Sequence, residues 1–87
     1  MRHKSQPDVD RRLARIVGHL EGVRRMLEAD KPCVEVLQQM KAVIAALVSA
    51  REIVAKDHVQ QCIADAINKG NTASAIEEVE AVLSQIL

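Results

Sequence analysis

The stretch VDRRLARIVGHLEGVRRML, residues 9–27, repeats apolar side chains at intervals of four and three residues. The repeating positions are Val9, Leu13, Ile16, Leu20, Val23 and Leu27. This spacing is the a/d pattern of helices that pack in left-handed bundles. It predicts an amphipathic first helix that begins near Asp8 or Asp10, after a mobile arm of residues 1–7.

A long second helix is predicted for residues 33–69, which contain no Gly and no Pro. Its heptad-like apolar stripe is Leu37, Met40, Ile44, Leu47 and Val54. We expect Asp30 to cap this helix and Pro32 to lie in its first turn. Gly70 and Asn71 are expected to end it.

A short third helix is predicted from about residue 72 to residue 86. Ser74 and Glu77 have the spacing of a capping box. The apolar side of this helix comprises Ile76, Val79, Val82, Leu83 and Ile86. The chain is thus predicted to be a single all-α domain of three helices.

The composition limits both fold and function. A chain of 87 residues without Phe, Tyr or Trp must build its core from aliphatic side chains, which suits interdigitated helices. Such a short chain buries too little surface to be a robust monomer, so we expect a homo-oligomer. Without aromatic rings to stack on bases, duplex DNA is the favoured nucleic acid.

The charges are distributed unevenly along the chain. Residues 1–25 carry seven basic and three acidic residues, a net +4, and the remainder carries five and nine, a net −4. This asymmetry is typical of a basic surface for polyanions, although a solvated helix face would give the same count.

Localisation follows from what the sequence lacks. No signal-peptide pattern and no apolar run near 18 residues is present, so we expect a cytoplasmic protein without a membrane span. In that reducing compartment the two cysteines are expected to be thiols or metal ligands.

His58 and Cys62 form the central candidate site. Residues four apart lie one turn apart on a helix, as a chelating pair requires, although a buried thiol beside a solvated histidine has the same spacing. Cys33 lies in the first turn of the same helix, where the helix dipole favours thiolate. Because 25 helical residues span about 37 Å, one chain cannot bring all three together.

A second chain can complete the site. If two copies of the long helix pack antiparallel, the residue numbers of opposing positions add up to a constant. Placing Cys33 opposite His58 or Cys62 requires a sum of 91 or 95. The twofold axis then lies at residues 46–47, beside Ala45, Ala46 and Leu47, and the dimer has two equivalent sites. Two thiolates and one imidazole suit Cu(I), while Zn(II) accepts them with a fourth ligand and Ni(II) with more N or O donors.

Three runs carry a family resemblance: RLARIVGHLEGVRRML at 12–27, CVEVLQQM at 33–40 and HVQQC at 58–62. They resemble the copper-sensitive operon repressor family over residues 10–83. The resemblance implies three helices, an antiparallel dimer, two dimers forming a flat tetramer, and a metal site shared between chains. It also implies binding of operator DNA without a helix-turn-helix, with Arg12 and Arg15 at the matching arginine positions.

The resemblance also implies roles for other residues. Cys33, His58 and Cys62 resemble the ligand set of the copper class, and Glu78 stands where copper sensors often have an outer-shell glutamate. His3 resembles the amino-terminal ligand of nickel sensors, which keeps Ni(II) or Co(II) as the alternative. Two positions depart from the pattern, since family members often have Gln at position 19 and an aromatic residue at position 32; here they are His19 and Pro32.

The expected function is a metal-responsive transcriptional repressor, not an enzyme, that binds operator DNA in the apo form and dissociates on binding Cu(I). Phosphate contacts are expected from Arg12 and Arg15, and further contacts from Arg11, Lys4 and Arg51.

Two alternatives remain. A thiol or formaldehyde sensor would use Cys33 as nucleophile and Cys62 as the resolving thiol. A copper-storing or purely structural helical bundle would bind metal without DNA.

Overall fold

A computed structural model describes residues 4–87, and its secondary structure consists of three helices. Helix α1 spans Gln6–Glu28, α2 spans Cys33–Lys69 and α3 spans Thr72–Ile86. The predicted all-α fold with a long central helix is therefore confirmed. Helix α1 starts earlier than expected, inside the predicted arm of residues 1–7, because Pro7 fits the first turn of a helix.

The chain divides into two compact units. One unit is Pro7–Ala50 and contains nearly all of α1 and the first half of α2. The other combines Arg51–Leu87 with residues 4–6, so it contains the second half of α2 and all of α3.

A heptad seam forms the core of the Pro7–Ala50 unit. On α1 every seventh residue is buried, and α2 shows the same spacing: Val9, Ile16 and Val23, then Val36, Val43 and Ala50. Four of them, Ile16, Val23, Val36 and Val43, form one cluster, against which Met26 and Ala46 pack. This seam is the narrow stripe of two helices meeting along one face.

The remaining apolar positions of the predicted stripes on α1 and α2 are exposed in the single chain. On α1, Leu20 is 49% exposed and Leu27 62% exposed. On α2, the predicted stripe itself is exposed at Leu37, Met40, Ile44, Leu47 and Val54. The intrachain core therefore uses a different face of α2 from the one that the sequence pattern singled out.

The turn between α1 and α2 corrects one expectation. Asp30 has a φ of 56° and terminates α1: its N–H donates to the carbonyl of Leu27, and the N–H of Lys31 donates to that of Met26. These are the two hydrogen bonds of a Schellman C-cap. Asp30 does not cap α2, whose first turn instead begins with the carbonyl of Pro32 accepting from the N–H of Val36.

The start of α3 also differs from the prediction. Asn71 is the N-cap residue and makes no side-chain capping hydrogen bond. Ser74 lies two residues inside the helix, so the capping box of Ser74 and Glu77 is wrong. Gly70 ends α2 at a φ of 72°, the left-handed conformation that glycine adopts without a steric penalty.

Helix α2 is long and apolar enough, by length and composition, to cross a membrane. An 18-residue window of it has a mean hydropathy of 1.4, and 17% of that window is buried within the chain. By itself this is weak evidence for a membrane span, because a packed helix of a protein without one has the same length and composition. The same exposed apolar surface is what a helix of an oligomer presents before assembly.

Candidate metal centre

Two of the predicted metal ligands, His58 and Cys62, lie in the second half of α2, within the Arg51–Leu87 unit. Continuous helix places them one turn apart. Cys62 is buried, with 8% of its surface exposed, and the side chain of His58 is 20% exposed. The predicted arrangement of this pair is therefore present in the chain.

Glu78 on α3 contacts the imidazole of His58. The Nε2 atom of His58 lies 2.9 Å from Oε1 of Glu78. A carboxylate accepts hydrogen bonds, so this contact assigns the proton to Nε2 and, in the neutral ring, the lone pair to Nδ1. A carboxylate in this position fixes the tautomer and the orientation of a metal-binding histidine.

The surroundings of Cys62 favour the protonated thiol. Burial raises the pKa of Cys62 above its ordinary value, and the nearby carboxylates of Glu78 and Asp65 raise it further. A metal that binds this sulfur must therefore displace a proton. Sequence reasoning missed Asp65, although its spacing of three residues from Cys62 on one helix would have indicated the contact.

Cys33 is the first residue of α2, is exposed, and belongs to the Pro7–Ala50 unit. Among residues 4–87, no three His, Cys, Asp or Glu side chains are grouped so that they could hold a metal ion. His3, the possible amino-terminal ligand, lies outside the described residues. A site with three protein ligands therefore needs a donor beyond this part of one chain.

His58 also lines an open groove between α2 and α3. The groove has a volume of about 340 Å³ and is lined by Arg51, Val54, Ala55, His58, Val82, Gln85 and Ile86. The imidazole is thus reachable from solvent on the side where α3 packs.

The predicted DNA-binding arginines of α1 differ in their local partners. Arg12 Nε lies 3.0 Å from Asp8 Oδ2, and Arg11 lies 3.5 Å from Oδ1 of the same carboxylate. The hydrogen bond from Arg12 is the largest cause that lowers the pKa of Asp8. Arg15 is exposed and makes no ion pair within residues 4–87.

The other two predicted phosphate contacts are Lys4 and Arg51. Both are exposed, and both belong to the unit that contains residues 51–87. The five predicted residues are therefore divided between the two units, with Arg11, Arg12 and Arg15 together on α1.

Curated proteins with similar sequences are metal-sensing repressors. The chain is 39% identical over 82 residues to the copper-sensing transcriptional repressor CsoR of Bacillus subtilis (strain 168), covering 91% of this chain and 81% of that protein. It is 40% identical over 68 residues to CsoR of Mycobacterium bovis (strain BCG / Pasteur 1173P2), covering 78% of this chain. That match spans 57% of the longer mycobacterial protein.

Two solved structures have the same fold. The nickel-responsive transcriptional regulator InrS superposes with a TM-score of 0.89 at 34% identity, covering 100% of this chain and 98% of that one. The copper-sensing repressor CsoR with Cu(I) from Geobacillus thermodenitrificans NG80-2 superposes with a TM-score of 0.83 at 31% identity, covering 98% and 90%.

A family model described as metal-sensitive transcriptional repressor matches residues 5–85, nearly the whole chain. With the sequence identities and the shared three-helix fold, this match establishes that the chain belongs to the metal-sensitive transcriptional repressor family.

Proposed function

We propose that this protein is a cytoplasmic homo-oligomeric repressor that binds operator DNA without metal and releases it on binding Cu(I). Each metal site comprises Cys33 of one chain with His58 and Cys62 of another. The observation that carries the proposal is the pair of His58 and Cys62 on one turn, with the imidazole held by Glu78 and no third ligand grouped with them among residues 4–87.

The oligomer is supported by apolar surface that the single chain leaves exposed. Ile44 is 61% exposed and Leu47 45% exposed, close to the proposed twofold axis at residues 46–47. An antiparallel copy of α2 covers these side chains and brings its Cys33 opposite His58 and Cys62. Burying this surface provides the hydrophobic stabilisation that a chain of 87 residues lacks alone.

Copper is favoured by the chemistry of the ligands. Two soft thiolates and one imidazole form a set of three ligands, which suits Cu(I). The curated relatives named above are described as copper-sensing. Cys33 of one chain and His58 and Cys62 of another would hold Cu(I), which would tie the two chains together. The protein's part is to present Cys62 from a buried position, to orient His58 through Glu78 and to give up a proton from the Cys62 thiol.

Nickel is the second candidate metal, and one observation favours it. The fold superposes on nickel-responsive InrS with a TM-score of 0.89, against 0.83 for CsoR with Cu(I). Ni(II) prefers more N or O donors than this set provides, and His3 is the residue that would add one.

DNA binding is proposed through the basic face of α1. Arg15 is exposed and unpaired within residues 4–87, and Arg12 needs only to leave an exposed ion pair with Asp8. Exposed ion pairs contribute little free energy, about 0–1 kcal/mol, so a phosphate can replace Asp8 at low cost. Metal acts as a switch if DNA prefers the metal-free arrangement of the helices.

The test is a pair of titrations on the full chain. Metal affinity is measured with Cu(I) in competition with a chelator and separately with Ni(II). Duplexes selected from a random library by the metal-free protein then serve as the DNA probe. We expect Cu(I), at one equivalent per chain, to release the duplex while Ni(II) does not. Release by Ni(II) alone would establish the second candidate, and release by neither would refute metal sensing.

A further inference from the structure

The residue before α1 is bound to α2 by one long-range hydrogen bond. The backbone N–H of Ser5 donates to Oδ2 of Asp57 at 2.7 Å, across 52 positions of sequence. Ser5 directly precedes Gln6, the first residue of α1, and Asp57 directly precedes His58. The bond therefore joins the start of the arginine-bearing helix to the turn of α2 that carries the candidate metal ligand.

The surroundings of Ser5 indicate that its backbone makes this connection. Its Oγ atom is buried and has no hydrogen-bond partner among residues 4–87. Protein therefore covers the hydroxyl, although Ser5 as a whole is half-buried, and the hydroxyl does not bind α2. Lys4 and Asp57, with Gln60 and Gln61, line a small cavity of about 120 Å³, which places the amino-terminal segment along α2.

The energy of the hydrogen bond between Ser5 and Asp57 is sensitive to the relative position of the two groups. Amide groups at the start of a helix have no acceptor within the helix, so an acceptor from elsewhere fixes where the helix begins. Asp57 supplies a carboxylate, and charge-assisted hydrogen bonds are shorter and stronger than neutral ones. Their energy also falls steeply with misalignment. A small reorientation of the turn at residues 57–58 therefore changes how firmly the start of α1 is held.

We propose that Asp57 is a positioning residue that transmits metal occupancy at His58 to the start of α1 through the N–H of Ser5. This inference rests on the proposed function, since it assumes that metal and DNA are coupled ligands. Metal binding constrains His58, and the adjacent Asp57 shares the same helical backbone. The hydrogen bond to Ser5 then has different strengths in the metal-free and metal-bound states, which is what coupling requires.

The sharpest variant is Ser5→Pro, which removes the N–H donor and leaves Asp57 and the metal ligands intact. Proline is tolerated just before a helix. Ser5→Ala is the matched control, because it removes the unpartnered hydroxyl and keeps the N–H. For each, the affinity for a selected duplex is measured with and without Cu(I), and the affinity for Cu(I) is measured without DNA.

We expect the ratio of duplex affinities, metal-free over Cu(I)-bound, to fall about fivefold in Ser5→Pro, because the two states differ in only part of the energy of this one hydrogen bond. Ser5→Ala is expected to keep the wild-type ratio and the wild-type affinity for Cu(I). Ser5→Pro is expected to shift the affinity for Cu(I) without DNA by at most about fivefold, because a bond that differs in strength between the two metal states contributes to metal binding. An unchanged ratio in Ser5→Pro, or an equal fall in both variants, overturns the proposal.

Asp57→Ala tests the same bond by removing its carboxylate acceptor. This variant replaces Ser5→Pro in the experiment if Ser5→Pro does not fold. It is expected to lower the ratio at least as much as Ser5→Pro does, and the double variant is expected to be no worse than Asp57→Ala alone. Without metal or DNA, the Ser5 amide should exchange hydrogen faster in Asp57→Ala than in wild type. Additive losses or equal exchange rates contradict the proposal.

Failure of this inference is distinguishable from failure of the proposed function. If wild-type protein does not release DNA on adding Cu(I), the proposed function is wrong. If wild type releases DNA and Ser5→Pro releases it equally well, only the role of Asp57 is wrong.

Discussion

His58 Nε2 on α2 lies 2.9 Å from Glu78 Oε1 on α3, across 20 positions of sequence. Helix α3 supplies none of the three predicted ligands, yet through this contact it sets the orientation of the imidazole. The packing of α3 against α2 is therefore part of the candidate site.

Glu78→Ala is predicted to lower Cu(I) affinity about tenfold, because outer-shell partners of metal-binding histidines typically contribute 10–100-fold. The low end is expected, since the Glu78 side chain is 54% exposed. A chelator competition assay measures the effect. Glu77→Ala removes the neighbouring exposed carboxylate and is expected to behave as wild type; equal losses in both variants would indicate a general charge effect.

Cys33→Ala is predicted to give a repressor that no longer dissociates from DNA when copper is added. It removes one thiolate from each site, so Cu(I) affinity should fall by more than the roughly 10–100-fold that loss of an outer-shell partner typically costs. The basic residues of α1 keep apo DNA binding intact. His58→Ala is expected to retain Cu(I) on two thiolates and respond poorly, because the connection through the imidazole is lost. Operator-binding titrations with and without Cu(I) distinguish the two variants.

The outcome for Cys33→Ala also tests the alternative sensors. Copper-driven release of DNA by this variant would exclude Cys33 from the switch. If wild-type protein ignores copper and instead loses DNA after alkylation or formaldehyde treatment of Cys33, a thiol-sensing mechanism is the correct one.

Arg15→Ala is predicted to weaken duplex binding and to reduce the slope of log affinity against log salt by about 0.9 for the lost phosphate contact. Arg12→Ala should act in the same direction. Asp8→Asn is expected to strengthen binding modestly, because it releases Arg12 and Arg11 from their ion pairs. Measured salt slopes that do not change in Arg15→Ala would place the DNA-binding surface elsewhere.

The stability of the metal-free protein is predicted to fall as pH rises above about 9. The ordinary thiol pKa is 9.0, and burial raises the pKa of Cys62 above it in the native state. Between the two values the unfolded chain loses a proton that the native chain keeps, so alkaline pH favours unfolding. Denaturant midpoints across pH 8–10 measure this loss, and Cys62→Ala should show less of it; identical profiles would contradict the prediction.

Asp30→Gly is predicted to raise the free energy of unfolding by about 0.5–1 kcal/mol, since glycine adopts positive φ without the steric cost that other residues bear. The φ of Asp30 is 56°. Asp30→Val is the control and should destabilise, because a β-branched side chain is poorly tolerated there. Thermal unfolding at fixed protomer concentration measures both; no difference between the variants would indicate that the turn rearranges.

Several features of the fold were predictable because they depend on local chemistry. The absence of Gly and Pro between residues 33 and 69 was enough to predict the long helix α2, and Gly70 was enough to end it. The chelating pair of His58 and Cys62 was likewise predictable, since helical periodicity alone fixes residues four apart on one face. The caps were predicted less well, because Asp30 and Ser74 suit more than one position near a helix end.

The three helices, the pairing of His58 with Cys62 and the division of charge along the chain follow from the sequence alone, because each depends on neighbours within a turn or on composition. The face of α2 that packs within the chain depends on the folded arrangement of the helices: Val36, Val43 and Ala50 are buried, whereas the stripe containing Leu37, Ile44 and Leu47 stays exposed. Both faces are apolar, so periodicity cannot rank them. The contacts of Glu78 with His58 and of Ser5 with Asp57 also required the structure, because they join residues 20 and 52 positions apart whose approach is set by helix packing.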